Sequence, residues 1–159
     1  MINKQIGFTV VEMMVVVAII AILALIALPS SLDRIVREQV NAAIPLADTA
    51  KEPIAAGWKE SKTLAAGNTE IGLPVPQKVV SNFISALEVQ NGVIHMTFGN
   101  KAHPRLMGKV LSIRPAVIEE SQIVPIAWVC GNAAAPAQMV VKGENRTNVS
   151  VEYLPRMCK

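Results

Sequence analysis

Five side chains in this sequence have types and positions that could support chemistry. Two are cysteines near the end of the chain, Cys130 and Cys158, and two are histidines, His95 and His103. The fifth is Glu12, a lone acid at the head of a long apolar run. The cysteines are candidates for a disulfide or for two free thiols. Each histidine lacks an evident acidic partner and is typical of a packed or surface residue.

Motifs for catalysis or ligand binding are missing from the sequence. It contains no metal-spaced cluster of cysteine and histidine, no phosphate-binding G-x-x-x-x-G-K-[ST] loop and no G-x-S-x-G nucleophile elbow. We therefore predict neither an enzyme nor a bound metal or cofactor.

The apolar run Met13 to Leu28 is the most unusual stretch of the chain. With Phe8, Val10 and Val11 it gives about 21 mostly apolar residues, or roughly 31 Å of helix, enough to cross a bilayer. A secretory signal peptide has a shorter core and an A-x-A-like cleavage site. A plain membrane anchor fits the length, but it gives no role to Glu12, whose charge is energetically unfavourable near the membrane.

The spacing of Gly7, Phe8, Thr9 and Glu12 ahead of this run resembles the class III signal of type IV pilins. The resemblance implies that a prepilin peptidase cleaves between Gly7 and Phe8 and that the new amine of Phe8 is methylated. It divides the chain into a leader over 1–7, an apolar transmembrane and filament-core helix over 8–29 and a head over 30–159. It also implies a bend at Pro29.

Glu12 gains a role from this resemblance. A carboxylate in an apolar environment seeks a cation, and the Phe8 amine of a neighbouring subunit would supply one in a filament. Because an unpaired buried charge is costly, the pair would fix the register between subunits. Thr9 and Pro29 are assigned to the same assembly segment.

The rest of the sequence predicts an α+β fold. Apolar residues recur every three or four positions over 31–62, typical of an amphipathic helix, although Pro45 and Pro53 should bend or interrupt it. A loop over 63–78 follows. The period then changes to two, which predicts strands with an Asn-Gly hairpin turn. The predicted strands are Ile84–Val89, Val93–Phe98, Lys109–Arg114 and Ile126–Val129. We expect about four antiparallel strands packed against the long helix.

The end of the chain carries a second resemblance. Trp128-Val129-Cys130, with Cys158 close to the C-terminus, is similar to the disulfide-bounded loop of type IVa pilins. Major pseudopilins of type II secretion usually lack this bridge. The resemblance therefore implies that Cys130 and Cys158 pair and favours a true pilin, with a type II secretion pseudopilin as the alternative.

Charge gives little support for nucleic-acid binding. The formal net charge is only +3, and aromatic residues make up 4% of the chain. Lys101, Arg105, Lys109 and Arg114 form a loose basic group without interleaved aromatic residues, so we interpret it as a solvated face and DNA as a weakly supported partner. The N-x-[ST] patterns at Asn145 and Asn148 are weak glycosylation signals.

Together these features predict a structural protein that self-assembles. The resemblance implies a homo-oligomeric helical filament, the prepilin peptidase and the pilus assembly machinery as partners, and inner-membrane lipid around the helix before assembly. The expected location is the inner membrane of a Gram-negative-type bacterium and then the extracellular pilus, used for adhesion, twitching motility or DNA uptake. A minor pilin and a membrane-anchored periplasmic binding module are the remaining alternatives.

Overall fold

The computed structural model describes residues 7–159, without the side chains of residues 26–31. The expected leader is therefore described only at Gly7, and the side chain of Pro29 lies outside the described residues. The chain divides into two compact units that meet in sequence between Ile35 and Val36.

Helix α1 spans Val10–Ala43, and a short 3₁₀ turn over Ile44–Ala47 separates it from helix α2, Asp48–Ser61. Pro45 lies in this turn, so the predicted interruption is confirmed there. Pro53 lies inside α2, which continues through it. Among the residues that the structure describes, none of the helices is both long and apolar enough to cross a bilayer.

The first unit presents apolar side chains on its surface. The large apolar residues of α1 from Val10 to Leu25 are between 43% and 77% exposed. Leu32 and Ile35, which we expected on the packed face of the amphipathic helix, are also exposed, at 44% and 46%. The packed stripe begins only at Val36.

In the second unit, one stripe of the helices is buried at the spacing of an amphipathic helix. It consists of Val36, Val40, Ala43, Ala47, Ala50, Ile54 and Trp58. The first six of these residues share one hydrophobic cluster with the sheet, including Leu87, Met96 and Leu111. The predicted packing of helix against sheet is confirmed.

The sheet has four main antiparallel strands in the order β1-β2-β3-β4. They are β1 Ile84–Gln90, β2 Val93–Phe98, β3 Val110–Val117 and β4 Ala127–Cys130. A two-residue strand, β5 Val140–Val141, pairs with the end of β3 and was not predicted. The hairpin between β1 and β2 turns at Asn91-Gly92 as predicted, and both residues have positive φ, 49° and 78°, as a type I′ turn requires.

Short 3₁₀ turns make up much of the connection between helix and sheet. They span Asn68–Ile71 and Pro76–Lys78, within the stretch 63–78 that was predicted as a loop. A last 3₁₀ turn, Arg156–Cys158, ends the chain.

Candidate functional site

The expected processing point lies just before the first helix. Gly7, Phe8 and Thr9 have no regular secondary structure, and α1 begins at Val10. Phe8 is 76% exposed, and none of the described residues beyond its chain neighbours places an atom within 4 Å of the position that a Cβ on Gly7 would occupy. The described residues therefore leave the Gly7–Phe8 peptide bond uncovered.

Thr9 and Glu12 form a reciprocal cap at the start of α1. The Glu12 carboxylate accepts the Thr9 backbone N–H at 2.9 Å and the Thr9 hydroxyl at 2.8 Å. In return, the Glu12 backbone N–H donates to Thr9 Oγ1 over 3.3 Å. This is a capping box, in which the side chain of each residue accepts a hydrogen bond from the backbone N–H of the other. The T-x-x-E spacing could have identified it from the sequence.

Among the described residues, the cap does not neutralise the charge of Glu12. No cationic group pairs with its carboxylate within residues 7–159. The same carboxylate lies at the head of an exposed apolar helix, where an isolated charge would be expensive once the helix is covered. The arrangement thus presents an oriented anion that a cation from another molecule can reach.

The predicted bridge at the end of the chain is present. Cys130 and Cys158 form a disulfide with their Cα atoms 4.4 Å apart. Gly131 follows directly, with φ of 56°, and a side chain there would lie 2.6 Å from the Cys158 carbonyl oxygen. Glycine at this position therefore lets the chain end pass close to β4.

Part of the disulfide-bounded loop is fastened along β3. The Asn148 side chain accepts the Val110 N–H at 2.6 Å, and Thr147 Oγ1 accepts the Ser112 N–H at 3.0 Å. The Arg146 N–H donates to the Ser112 hydroxyl at 2.9 Å. Sequence reasoning missed this contact because side chains bonding to strand backbones leave no periodic pattern.

The two histidines occupy packed positions, as expected. His95 is 3% exposed and its Nδ1 lies 2.9 Å from the hydroxyl of the fully buried Ser112. Burial, with a smaller contribution from Arg146, lowers the pKa of His95. His103 is half-buried, and its Nδ1 accepts the Arg105 N–H at 3.2 Å. Neither has the geometry of a catalytic base with an orienting acid.

In the loose basic group of Lys101, Arg105, Lys109 and Arg114, the two arginines form hydrogen bonds within the protein. Arg105 donates to the Tyr153 hydroxyl at 2.8 Å and lies over its ring, 6.0 Å from the centroid. Arg114 donates to the Gly131 carbonyl at 3.1 Å. In the part of the chain that the structure describes, no group of histidine, cysteine, aspartate and glutamate could hold a metal ion.

Comparison with known proteins agrees with this architecture. The family model for pilin, a bacterial filament protein, matches residues 36–159, and the prokaryotic N-terminal methylation motif matches residues 2–28. The type IV major pilin protein PilE1 of Neisseria gonorrhoeae is 31% identical over 161 residues, covering 98% of this chain and 87% of the relative.

Two fimbrial proteins show the same level of similarity. One from Neisseria meningitidis serogroup A is 30% identical over 98% of this chain and 94% of its own length. Fimbrial protein Q of Moraxella bovis is 34% identical over 84% of this chain and 91% of its own length. With an N-terminal methylation motif, a capped apolar helix, a helix-backed antiparallel sheet and a C-terminal disulfide, the chain belongs to the type IV pilin family.

Proposed function

We propose that this pilin is made as a precursor, is cleaved between Gly7 and Phe8 by a prepilin peptidase, and is then methylated on the amine of Phe8. The methylation motif at residues 2–28 supports this proposal. The exposed, non-helical backbone at Gly7 to Thr9 supports it as well, because a peptidase needs an extended segment. Cleavage leaves the capping box intact, since both of its members follow the cut.

As a type IV pilin, the chain is a structural subunit of a pilus. The observation that carries our proposal for its assembly is the exposed apolar surface of α1 from Val10 to Leu25. A continuous apolar surface of this kind requires lipid or other apolar helices around it. We infer that inner-membrane lipid surrounds it first and that copies of the same helix surround it in the filament core.

The exchange between these two environments needs little hydrophobic free energy, because lipid tails and apolar helices bury the surface equally well. Ala18, Ala21 and Ala24 provide small side chains along α1, which would let neighbouring helices approach closely. The pilus assembly machinery would then extract subunits from the membrane and insert them reversibly.

Glu12 sets the register of this assembly in our proposal. Thr9 holds its carboxylate at the start of the helix, and the Phe8 amine of the neighbouring subunit supplies the cation. A subunit docked in the wrong register would leave the Glu12 carboxylate and the Phe8 amine unpaired in an apolar environment. The pair therefore contributes to specificity more than to stability.

The head forms the outer surface of the filament and carries its role in adhesion, twitching motility or DNA uptake. For DNA uptake, Lys101 and Lys109 are the cations best placed to contact phosphates, because Arg105 and Arg114 already bond within the head. Repetition along a filament would make such weak sites avid.

Mass spectrometry of the mature protein, together with imaging of cells that lack the gene, tests this function. We expect the protein to begin at methylated Phe8, and we expect surface filaments to be lost in the deletion strain. An intact leader on a monomeric protein would instead indicate a membrane-anchored binding module. Free thiols at Cys130 and Cys158 would favour a pseudopilin.

A further inference from the structure

A cavity of about 150 Å³ lies beside the second half of α2. The helix provides one wall, which includes Gly57 and Ser61. The connection to the sheet provides the other wall, with Thr63, Glu70 and Ile71. A cavity of about this size accepts a group as large as benzene, so this one has room for the end of a single side chain. We call this cavity the socket.

The two hydroxyls of the socket are already committed as donors. Ser61 Oγ donates its one proton to the Gly57 carbonyl at 2.8 Å. Thr63 Oγ1 lies 2.7 Å from Ser61 Oγ, so the proton in that contact comes from Thr63. The third polar side chain, Glu70, is a carboxylate and only accepts. Among the described residues that line the socket, the side chains therefore present hydrogen-bond acceptors without a free donor.

Glu70 also gives the socket a negative charge. Its Oε2 accepts the Ala66 backbone N–H at 2.7 Å, and no cation pairs with it within residues 7–159. A lysine ammonium carries three donors and no acceptor, and its methylene stem packs along apolar surface. Pro53 and Ile71 supply such surface in the lining. The socket thus matches a lysine side chain in size, charge and hydrogen bonding.

A lysine of this kind lies at the opposite end of the head. Lys101 is exposed and forms no ion pair with any residue that the structure describes. Two residues later, the backbone N–H of His103 donates to Gln39 Oε1 at 2.7 Å. The Lys101 turn therefore lies near Val36, where the second compact unit begins. Roughly 27 Å of helix, at about 1.5 Å per residue, separates Gln39 from Gly57 at the socket.

We propose that Lys101 of one subunit enters the socket of an adjacent subunit, where its ammonium contacts Glu70. The proposal rests on the function proposed above, which places copies of this head side by side. Charge complementarity selects a second copy of the chain as the occupant, since one chain carries both the cation and the anionic socket. Because these groups lie at opposite ends of the head, the contact is heterologous and repeats along a filament. Lys101 held in this way leaves Lys109 to contact phosphates.

Zero-length cross-linking in filaments tests the contact. Sheared filaments are treated with a water-soluble carbodiimide, which forms an amide only between a carboxylate and an amine that touch. We expect covalent dimers on a denaturing gel. Mass spectrometry of the dimer should identify a peptide that joins Lys101 to Glu70, and the monomer should lack this peptide because the two residues are far apart within one chain.

Two arginine variants make the test specific. Lys101→Arg keeps the positive charge but forms no such amide, so its filaments should lose the product. Lys78→Arg is the matched control, since Lys78 is exposed and lies outside the socket, and its filaments should keep the product. Filaments that assemble normally but join Glu70 to no lysine, or to a different one, would overturn the contact while leaving the proposed function intact. A parent chain without filaments would overturn the proposed function and this contact with it.

Filament yield gives an independent readout. Glu70→Gln keeps an acceptor for the Ala66 N–H and removes the charge, so the yield of sheared filaments should fall at least about twofold, as for the loss of an exposed ion pair. Lys101→Glu should lower the yield as much, and combining it with Glu70→Lys should recover it. Lys78→Glu changes the net charge equally and should leave the yield at the parental level. Parental yields from Glu70→Gln and Lys101→Glu would contradict the pairing.

Discussion

The Oε2 atom of Glu12 lies 2.8 Å from the Oγ1 atom of Thr9, and it also accepts the Thr9 backbone N–H. The acid at the head of the apolar helix is thus oriented by its own chain before any neighbour contacts it. The side chain that would set the register of assembly is also the side chain that caps the helix.

Removing the Thr9 hydroxyl should loosen the first turn of α1. We expect Thr9→Ala to destabilise the helix start by about 1 kcal/mol, the usual loss for an N-cap residue. Hydrogen exchange of the amides of Glu12 and Met13, measured on the full chain in detergent, should accelerate about fivefold. Thr9→Ser keeps the hydroxyl and should exchange like the parent. Equal protection in Thr9→Ala would show that the cap contributes nothing.

The disulfide should dominate the stability of the end of the chain. In the chain-entropy model, closing a loop of this size stabilises by about 3 to 4 kcal/mol. The double variant Cys130→Ala/Cys158→Ala should lose about that much in urea unfolding of the full chain in detergent, with fluorescence of Trp58 and Trp128 as the probe. A loss below about 1 kcal/mol would mean that the contacts along β3 hold the loop without the bridge.

Acid should weaken the contact between the disulfide loop and β3 through His95. Burial and Arg146 lower its pKa, while Glu88 and Glu144 act in the opposite direction. The unfolded chain therefore binds a proton more readily than the folded one. The stabilisation is present above the ordinary pKa of about 6.5 and is lost as the pH falls through the lower pKa of the folded protein.

The geometry gives this loss a structural cause. The Ser112 hydroxyl accepts the Arg146 N–H and can donate its own proton to Nδ1 of neutral His95. Protonated His95 removes that acceptor. We expect the parent to have a lower melting temperature at pH 5 than at pH 7.5, and we expect His95→Gln to show a smaller difference. An unchanged difference in His95→Gln would assign the pH dependence to other groups.

Asn68 should be among the most sensitive polar positions of the head. Its side chain donates to the carbonyls of Pro74 and Leu87 at 3.0 and 2.9 Å and accepts the Val89 N–H at 2.6 Å. Asn68 thereby provides hydrogen-bond partners for two backbone groups on the edge of β1 that pairs with no other described strand. Asn68→Ala leaves these groups unpaired and should destabilise by about 2 to 4 kcal/mol in urea unfolding. Asn132→Ala, which removes one exposed hydrogen bond, should lose less than about 1 kcal/mol.

Much of the fold could be predicted from the sequence because it rests on local signals. The spacing of Val36, Val40 and Ala43 predicts a packed helix face, and Asn91-Gly92 predicts the turn that sets the register of the first hairpin. The bridge was expected from resemblance rather than from spacing. Local patterns predict the helix face and the hairpin turn, so a single sequence is enough to identify them.

The missed features depend on contacts between distant residues. The two-residue strand β5 pairs with β3 only after the intervening loop has folded back, and Asn68 bonds to a strand about twenty residues away. A side chain that bonds to a strand edge, in place of a neighbouring strand, produces no periodic pattern in the sequence. The capping box is the exception among the missed features. Thr9 and Glu12 are close in sequence, and their T-x-x-E pattern could have predicted it.

The most direct test of the central account is the filament yield of Glu12→Ala, measured beside the mass of its mature N-terminus. We predict normal cleavage before Phe8, because the cut precedes the altered residue, together with a loss of most surface filaments, because nothing then pairs with the Phe8 amine in the core. Glu12→Gln keeps the shape and should assemble as poorly. Filaments of Glu12→Ala at the parental level would contradict the account.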